Sequence, residues 1–158
     1  MLNHRNILIS LFATMTLLLA SAVVFADSDS DSIPIDLDGA SGTLSVSVTR
    51  SDANHASSTH SIYVSADDSD VEGEWGGNLV SWNNGSHSGE APWYNDSENG
   101  SSIYVESGNT YSPSSLTCYN TDPDGFGWIG ESLIIARTWA DLESDSDTFD
   151  DWVNAELD

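Results

Sequence analysis

Lysine is missing from all 158 residues, and three arginines stand against 26 acidic residues, a formal net charge of −23. A chain this acidic repels phosphate backbones and anionic lipid headgroups. That excludes nucleic acid as a partner and makes any membrane contact depend on a bridging cation. Cysteine occurs once, at Cys118, so no intramolecular disulfide can staple the fold, and a buried thiol packed as a small apolar group is expected. Chemistry-bearing motifs are also lacking: there is no GxSxG, no ordered Ser-His-Asp set and no cysteine-histidine signature. His55, His60 and His87 share no HxH or HExxH spacing and read as solvent-exposed loop residues rather than zinc ligands. Glu74, Glu90 and Glu131 could be nominated for hydrolysis, but so could any two acids of such a chain, so the pairing carries no information. The chain reads as non-enzymatic.

Long apolar runs are confined to the first 26 residues, MLNHRNILISLFATMTLLLASAVVFA, which have a short basic start, an apolar stretch and a small-residue end. This is the pattern of a secretory signal peptide, with Val24 and Ala26 at the positions a signal peptidase reads and Asp27 as the expected first mature residue. No later run is long enough to span a bilayer. A soluble exported protein follows, extracellular or held in a periplasm or at a cell surface. All 26 acids lie after that point. Adaptation to a salty environment, or plain solubilisation, accounts for the amount of acid but not for its spacing.

The remaining length suits one small domain. Residues 27–32, DSDSDS, are a charged low-complexity stretch expected to be a disordered leader. In SIPIDLDG, Ile33, Ile35 and Leu37 alternate, and Pro34 restricts the segment to an edge strand or to a strand lent to a neighbour. TLSVSVTR at 43–50 is the clearest strand, with Leu44, Val46 and Val48 on one face. SIYVSA at 61–66, NLVSW at 78–82, SIYVES at 102–107, SLTCY at 115–119 and SLIIARTW at 132–139 follow, separated by glycine, asparagine, serine and proline turns. The fold class is therefore all-β, a single antiparallel β-sandwich over residues 43–140. In the acidic tail, 141–158, FDDWVNAEL sets Phe149, Trp152 and Val153 at helical spacing behind an Asp147 cap, and a short C-terminal helix on the sandwich is expected.

The densest constellation is NTDPDGFGWIGE, residues 120–131. Calcium takes six to eight oxygen ligands, and the EF-hand loop supplies them from positions 1, 3, 5, 7 and 12 with glycine at 6. Here those positions are Asn120, Asp122, Asp124, the Phe126 carbonyl and Glu131, with Gly125 in the turn. Pro123 and Gly127 depart from the pattern, and the flanks are strands, so the stretch resembles an EF-hand-like loop set between strands. Over about residues 43–140 the order of a TLSVSVTR-like strand, a strand ending in YV, Pro92-Trp93-Asn95, an aspartate loop and Ile129-Gly130-Glu131 resembles the C-two domain, the calcium-dependent lipid-binding β-sandwich. That resemblance implies calcium at Asp122 and Asp124. The family's further loop aspartates are absent, with Ser61 or Ile62 and Gly127 in their places, and so are basic lipid-contacting residues. CYNTDPDGFGWIGES is also similar to the CxxTDxDGxGWxG turn beside modules of secreted polysaccharide-degrading enzymes; Cys118 and Trp128 match, while Leu133 replaces the second cysteine.

Six tryptophans invite a sugar-binding reading, because an indole face stacks on the apolar face of a pyranose ring. Most are expected in the core, with Trp75 and Trp128 exposed because glycines surround them. Sequons at Asn84, Asn95 and Asn99 mark glycosylation only where the host glycosylates asparagine. The leading expectation is a secreted, non-enzymatic calcium-binding module in which the cation orders the 120–131 loop. Its alternatives are a carbohydrate-binding module and a subunit of an extracellular fibre that donates SIPIDLDG as a strand to another extracellular protein.

Overall fold

Alternation of apolar and polar residues, the period of a strand buried on one face, runs through strand after strand from Ile33 onward. The computed structural model describes residues 27–51, 55–83, 93–121 and 132–157. Strands β1 (Asp27–Leu37), β2 (Ala40–Arg50) and β3 (His55–Ala66) pair in sequence, and β6 (Asn109–Tyr111) and β7 (Leu116–Thr121) both pair with the far edge of β3. Strands β4 (Val71–Asn83), β5 (Trp93–Val105), β8 (Ser132–Glu143) and β9 (Thr148–Leu157) form a second sheet in the order β5-β4-β8-β9. All pairs are antiparallel, and the two sheets pack face to face as the expected all-β sandwich.

The inner faces make the core. Leu44, Val46, Val48, Ile62 and Val64 of the five-stranded sheet are buried against Leu79, Ile134, Ala136, Leu142 and Val153 of the four-stranded one. Cys118 is buried as expected, and its thiol donates to the Gly77 carbonyl at 3.4 Å. The β1–β2 hairpin closes on Asp38-Gly39 between the paired Leu37 and Ala40. A two-residue turn of this kind needs φ > 0, which Gly39 supplies at φ 77°.

Two expectations at the ends are overturned. DSDSDS is the first half of β1, not a disordered leader. It pairs in full register with β2, Asp27 meets Arg50 at 3.5 Å, and Asp29 accepts the Glu156 amide at 3.0 Å. The backbone ladder and these contacts outweigh a composition that on its own cannot bury apolar area. Pro34 lies on the sheet edge, as expected, and SIPIDLDG pairs with its own chain. FDDWVNAEL is strand β9, not a helix: Val153, Ala155 and Leu157 alternate into the core while Trp152 and Asn154 face out. A period of two buries three apolar side chains and adds a ladder to β8, whereas a helix would bury fewer and leave the β8 edge unpaired. The sandwich thus extends on both sides beyond residues 43–140.

The two outer faces differ in chemistry. Across β1, β2, β3 and β7, the register lines up Ser28, Thr49, Ser57 and Tyr119. The next row is Ser30, Ser47, Thr59 and Thr117, and the next is Ser32, Ser45 and Ser61. On the other sheet Glu72 stands opposite Glu143, and Glu74 opposite Asp141, which is itself opposite Asp150. Like charges directly opposed on one face are unfavourable, so the carboxylates gather there against a local cost.

The strand assignment of β9 predicts a parity effect. Val153→Asp, which places a carboxylate on the buried face, is expected to lower stability by about 3 kcal/mol or more. Asp150→Ser, on the outer face, should change it by less than about 0.5 kcal/mol. Urea unfolding of the two variants checks this; equal effects would be incompatible with the alternation.

Candidate functional site

Of the residues expected to hold a cation, the structure describes Asn120. It lies in β7 opposite Ala56, on the buried face, and is 2% exposed. Its side-chain nitrogen donates to the Leu79 carbonyl and to Ser81 Oγ, both at 2.8 Å. Because β7 continues to Thr121, the strand's parity turns Asn120 inward, and its amide nitrogen ties the end of β7 to β4. Asp122, Asp124, Phe126 and Glu131, and with them Trp128, lie outside the described residues. Among the described residues no group of three or more His, Cys, Asp or Glu side chains is placed to hold a metal ion.

Trp75 is a core residue, not an exposed sugar contact. It is 1% exposed, and its indole N–H donates to the Tyr111 hydroxyl at 3.4 Å. The glycines after it have a different purpose from the exposure they suggested. A Cβ on Gly77 would overlap the His60 ring, and one on Gly76 would lie 2.8 Å from Cζ2 of Trp139. Both glycines clear space for a neighbouring ring, one on each face of the sheet.

His60 is likewise buried, at 0% exposure, against the expectation of a solvent-exposed loop histidine. Position 60 shares its face with Ile62 and Val64 in an uninterrupted strand, which is the signal that the composition around it hides. The Thr138 hydroxyl donates to the Ser45 carbonyl at 2.9 Å. Its single hydrogen is thereby used, so the contact between Thr138 Oγ1 and His60 Nδ1 at 2.8 Å requires His60 to donate. Nε2 of the neutral ring then accepts from the Ser58 hydroxyl at 2.7 Å. A serine beside a histidine can be a nucleophile beside its base, but Ser58 is 1% exposed and no substrate reaches it. Burial lowers the imidazole pKa from its ordinary 6.5 to about 4.

The exposed chemistry lies on the outer face of the four-stranded sheet. One cross-strand row reads Gly100, Gly76, Trp139, Trp152. Trp139 is half-buried with its indole laid over Gly76 and reaching to 3.8 Å from a Cβ at Gly100. Trp152 beside it is 53% exposed. In the next row the Arg137 guanidinium stands 5.4 Å from the centre of the Trp152 ring, and its Nε donates to Asn154 Oδ1 at 3.0 Å. A cation over an indole face, itself held by an amide, fixes the ring's orientation. On the other side a groove of about 410 Å³ is lined by Glu72, Glu74, Tyr104, Asp141 and Glu143. The Tyr104 hydroxyl donates to Asp70 at 3.0 Å. That hydrogen bond, with the carboxylates around it, holds the phenol above its ordinary pKa of 10. The arrangement offers flat aromatic surface with acceptor-only groups alongside.

No protein-family model matches the chain, and no curated protein sequence matches it.

Two outcomes test these geometries. Neutral in the fold but protonated in the unfolded chain below pH 6.5, His60 contributes stability that is fully present above pH 6.5 and lost as pH falls to about 4. The contribution is on the order of 3 kcal/mol at about 1.4 kcal/mol per pKa unit. The stability gap between wild type and His60→Gln, measured by urea unfolding at constant salt, should therefore narrow by up to that amount between pH 7 and pH 4. A gap independent of pH would remove His60 from the balance. Separately, Gly76→Val should displace the Trp139 indole, costing about 1–3 kcal/mol and shifting tryptophan emission.

Proposed function

We propose that this protein is a non-enzymatic carbohydrate-binding β-sandwich acting outside the cell, which holds a polysaccharide chain against Trp139 and Trp152. The carrying observation is the exposed, pre-oriented Trp152 ring in line with Trp139 on its glycine shelf. Indole faces stack on the apolar faces of pyranose rings. The carboxylates of the neighbouring groove accept hydrogen bonds from sugar hydroxyls, as acceptor-only groups can. The same carboxylates, in a chain of net charge −23, repel uronates and sulfated sugars, so the ligand is neutral or amine-bearing. The apolar leader supports export. Retention on microcrystalline cellulose and chitin tests the reading: Trp152→Ala should weaken it about five- to tenfold, and unchanged retention on every neutral polymer would overturn the site. Alginate should not be retained at low salt.

A second reading is calcium at residues 120–131, held by Asn120, Asp122, Asp124, the Phe126 carbonyl and Glu131, whose spacing matches that of an EF-hand loop; the segment joins β7 of one sheet to β8 of the other. Calcium should then raise the melting temperature relative to chelator, since a ligand that binds only the folded state stabilises it. Asp122→Ala with Asp124→Ala should remove the response; an unchanged melting temperature in wild type would count against calcium. Lipid binding forms no part of either reading.

A further inference from the structure

The outer face of the five-stranded sheet asks for a separate explanation. In a chain with 26 acids, its three successive rows from Ser28 to Ser61 contain eleven hydroxyl side chains and no charged one. Solubility alone does not account for this, because the other outer face is equally wet and carries carboxylates at the equivalent positions. Strand preference does not account for it either: serine is not among the residues that favour strands. A depression of about 410 Å³ opens over Ser30, Ser32, Ser45, Ser47, Thr59 and Ser61. Asp31 and Val46 also border it, at strand positions whose side chains alternate to the opposite face. Tyr119, 71% exposed, closes one end of the hydroxyl rows, and Tyr63, 44% exposed, stands beyond the other. Tyr119 pairs with Ser57, six residues along β3 from Tyr63, so the rings are about 20 Å apart at about 3.3 Å per residue.

We propose that this trough is a second carbohydrate site, specific for a neutral polyhydroxyl chain, and that the protein is bivalent. Each serine and threonine hydroxyl both donates and accepts, which matches the hydroxyls of a sugar ring without requiring a charge to be desolvated. The two tyrosines supply stacking surfaces beyond either end of a floor made of small side chains. The two outer faces of a sandwich point away from each other, so one polymer chain on the trough and one on the tryptophan row are bridged by a single molecule. The bridging rests on the tryptophan reading above; the trough does not.

Binding and bridging of hydroxyethylcellulose separate the two. Trp152→Ala should retain weakened binding, and adding Tyr119→Ala should lower it at least fivefold more, with both variants melting like wild type because the rings are exposed. Ser47→Glu, which leaves both rings in place, should have the same effect as Tyr119→Ala. Wild type should agglutinate beads coated with the polymer, and each single variant should not. If Trp152→Ala alone abolishes binding and Tyr119→Ala changes nothing, the trough is overturned while the tryptophan site stands. If Trp152→Ala changes nothing and Tyr119→Ala abolishes binding, the trough stands and the tryptophan site falls. A wild-type dimer in sedimentation that becomes monomeric in Ser47→Glu, with no loss of polymer binding, would make this face a contact between copies and overturn the proposal.

Discussion

Hydrogen bonds that cross the core set how one sheet lies on the other. Thr138 of β8 donates to Ser45 of β2 and receives from His60 of β3. Asn120 of β7 holds Leu79 and Ser81 of β4, Cys118 of β7 reaches Gly77 of β4, and Trp75 of β4 reaches Tyr111 of β6. Apolar side chains alone allow a sheet to slide or rotate with little penalty, since volume and pattern can be preserved in more than one arrangement. A buried donor or acceptor left without its partner costs about 1–3 kcal/mol, so several such groups together select one arrangement. The glycines of β4 belong to this mechanism, because Gly77 admits the His60 ring between the sheets.

With the sheets fixed, the two outer faces become separate chemical surfaces at a set disposition. The strand period assigns alternate residues to opposite sides, and the chain uses that division to segregate its charge. Hydroxyls lie on one outer face; carboxylates and indoles lie on the other. Carboxylates directly opposed across β4, β8 and β9 repel each other, a cost that the core has to offset. Trp139 and Trp152 thereby lie between rows of carboxylates on one side and the Arg137 guanidinium on the other, which shapes what can approach them.

The central strands were legible because burial writes itself into a sequence as strict alternation, as in Leu44, Val46 and Val48. The edges were not. In DSDSDS the alternation is between acid and serine, neither of which is apolar, so the strand shows only through its partner β2. In FDDWVNAEL a chance helical spacing of Phe149, Trp152 and Val153 masks the period of two in Val153, Ala155 and Leu157, and Trp152 faces out toward Trp139, a neighbour far away in sequence. Trp75 is not legible as a core residue because glycine next to an aromatic residue is ambiguous: it can leave a ring exposed or make room for another ring. Asn120 has the type and spacing of a cation ligand, and only its strand parity, fixed by pairing with Ala56, turns it inward.

The contact between Asp29 and the Glu156 amide joins the free edge of β9 to the free edge of β1. Open sheet edges invite foreign strands, because their backbone groups are ready to pair. Here one such amide is already occupied by a carboxylate, and Asp27 and Asp31 flank that carboxylate along β1. A second chain seeking to continue either sheet would meet its own charge before it met an unpaired amide. The acid of DSDSDS thus places like charge along the seam of the sandwich, and added salt, by screening that charge, lowers the repulsion there.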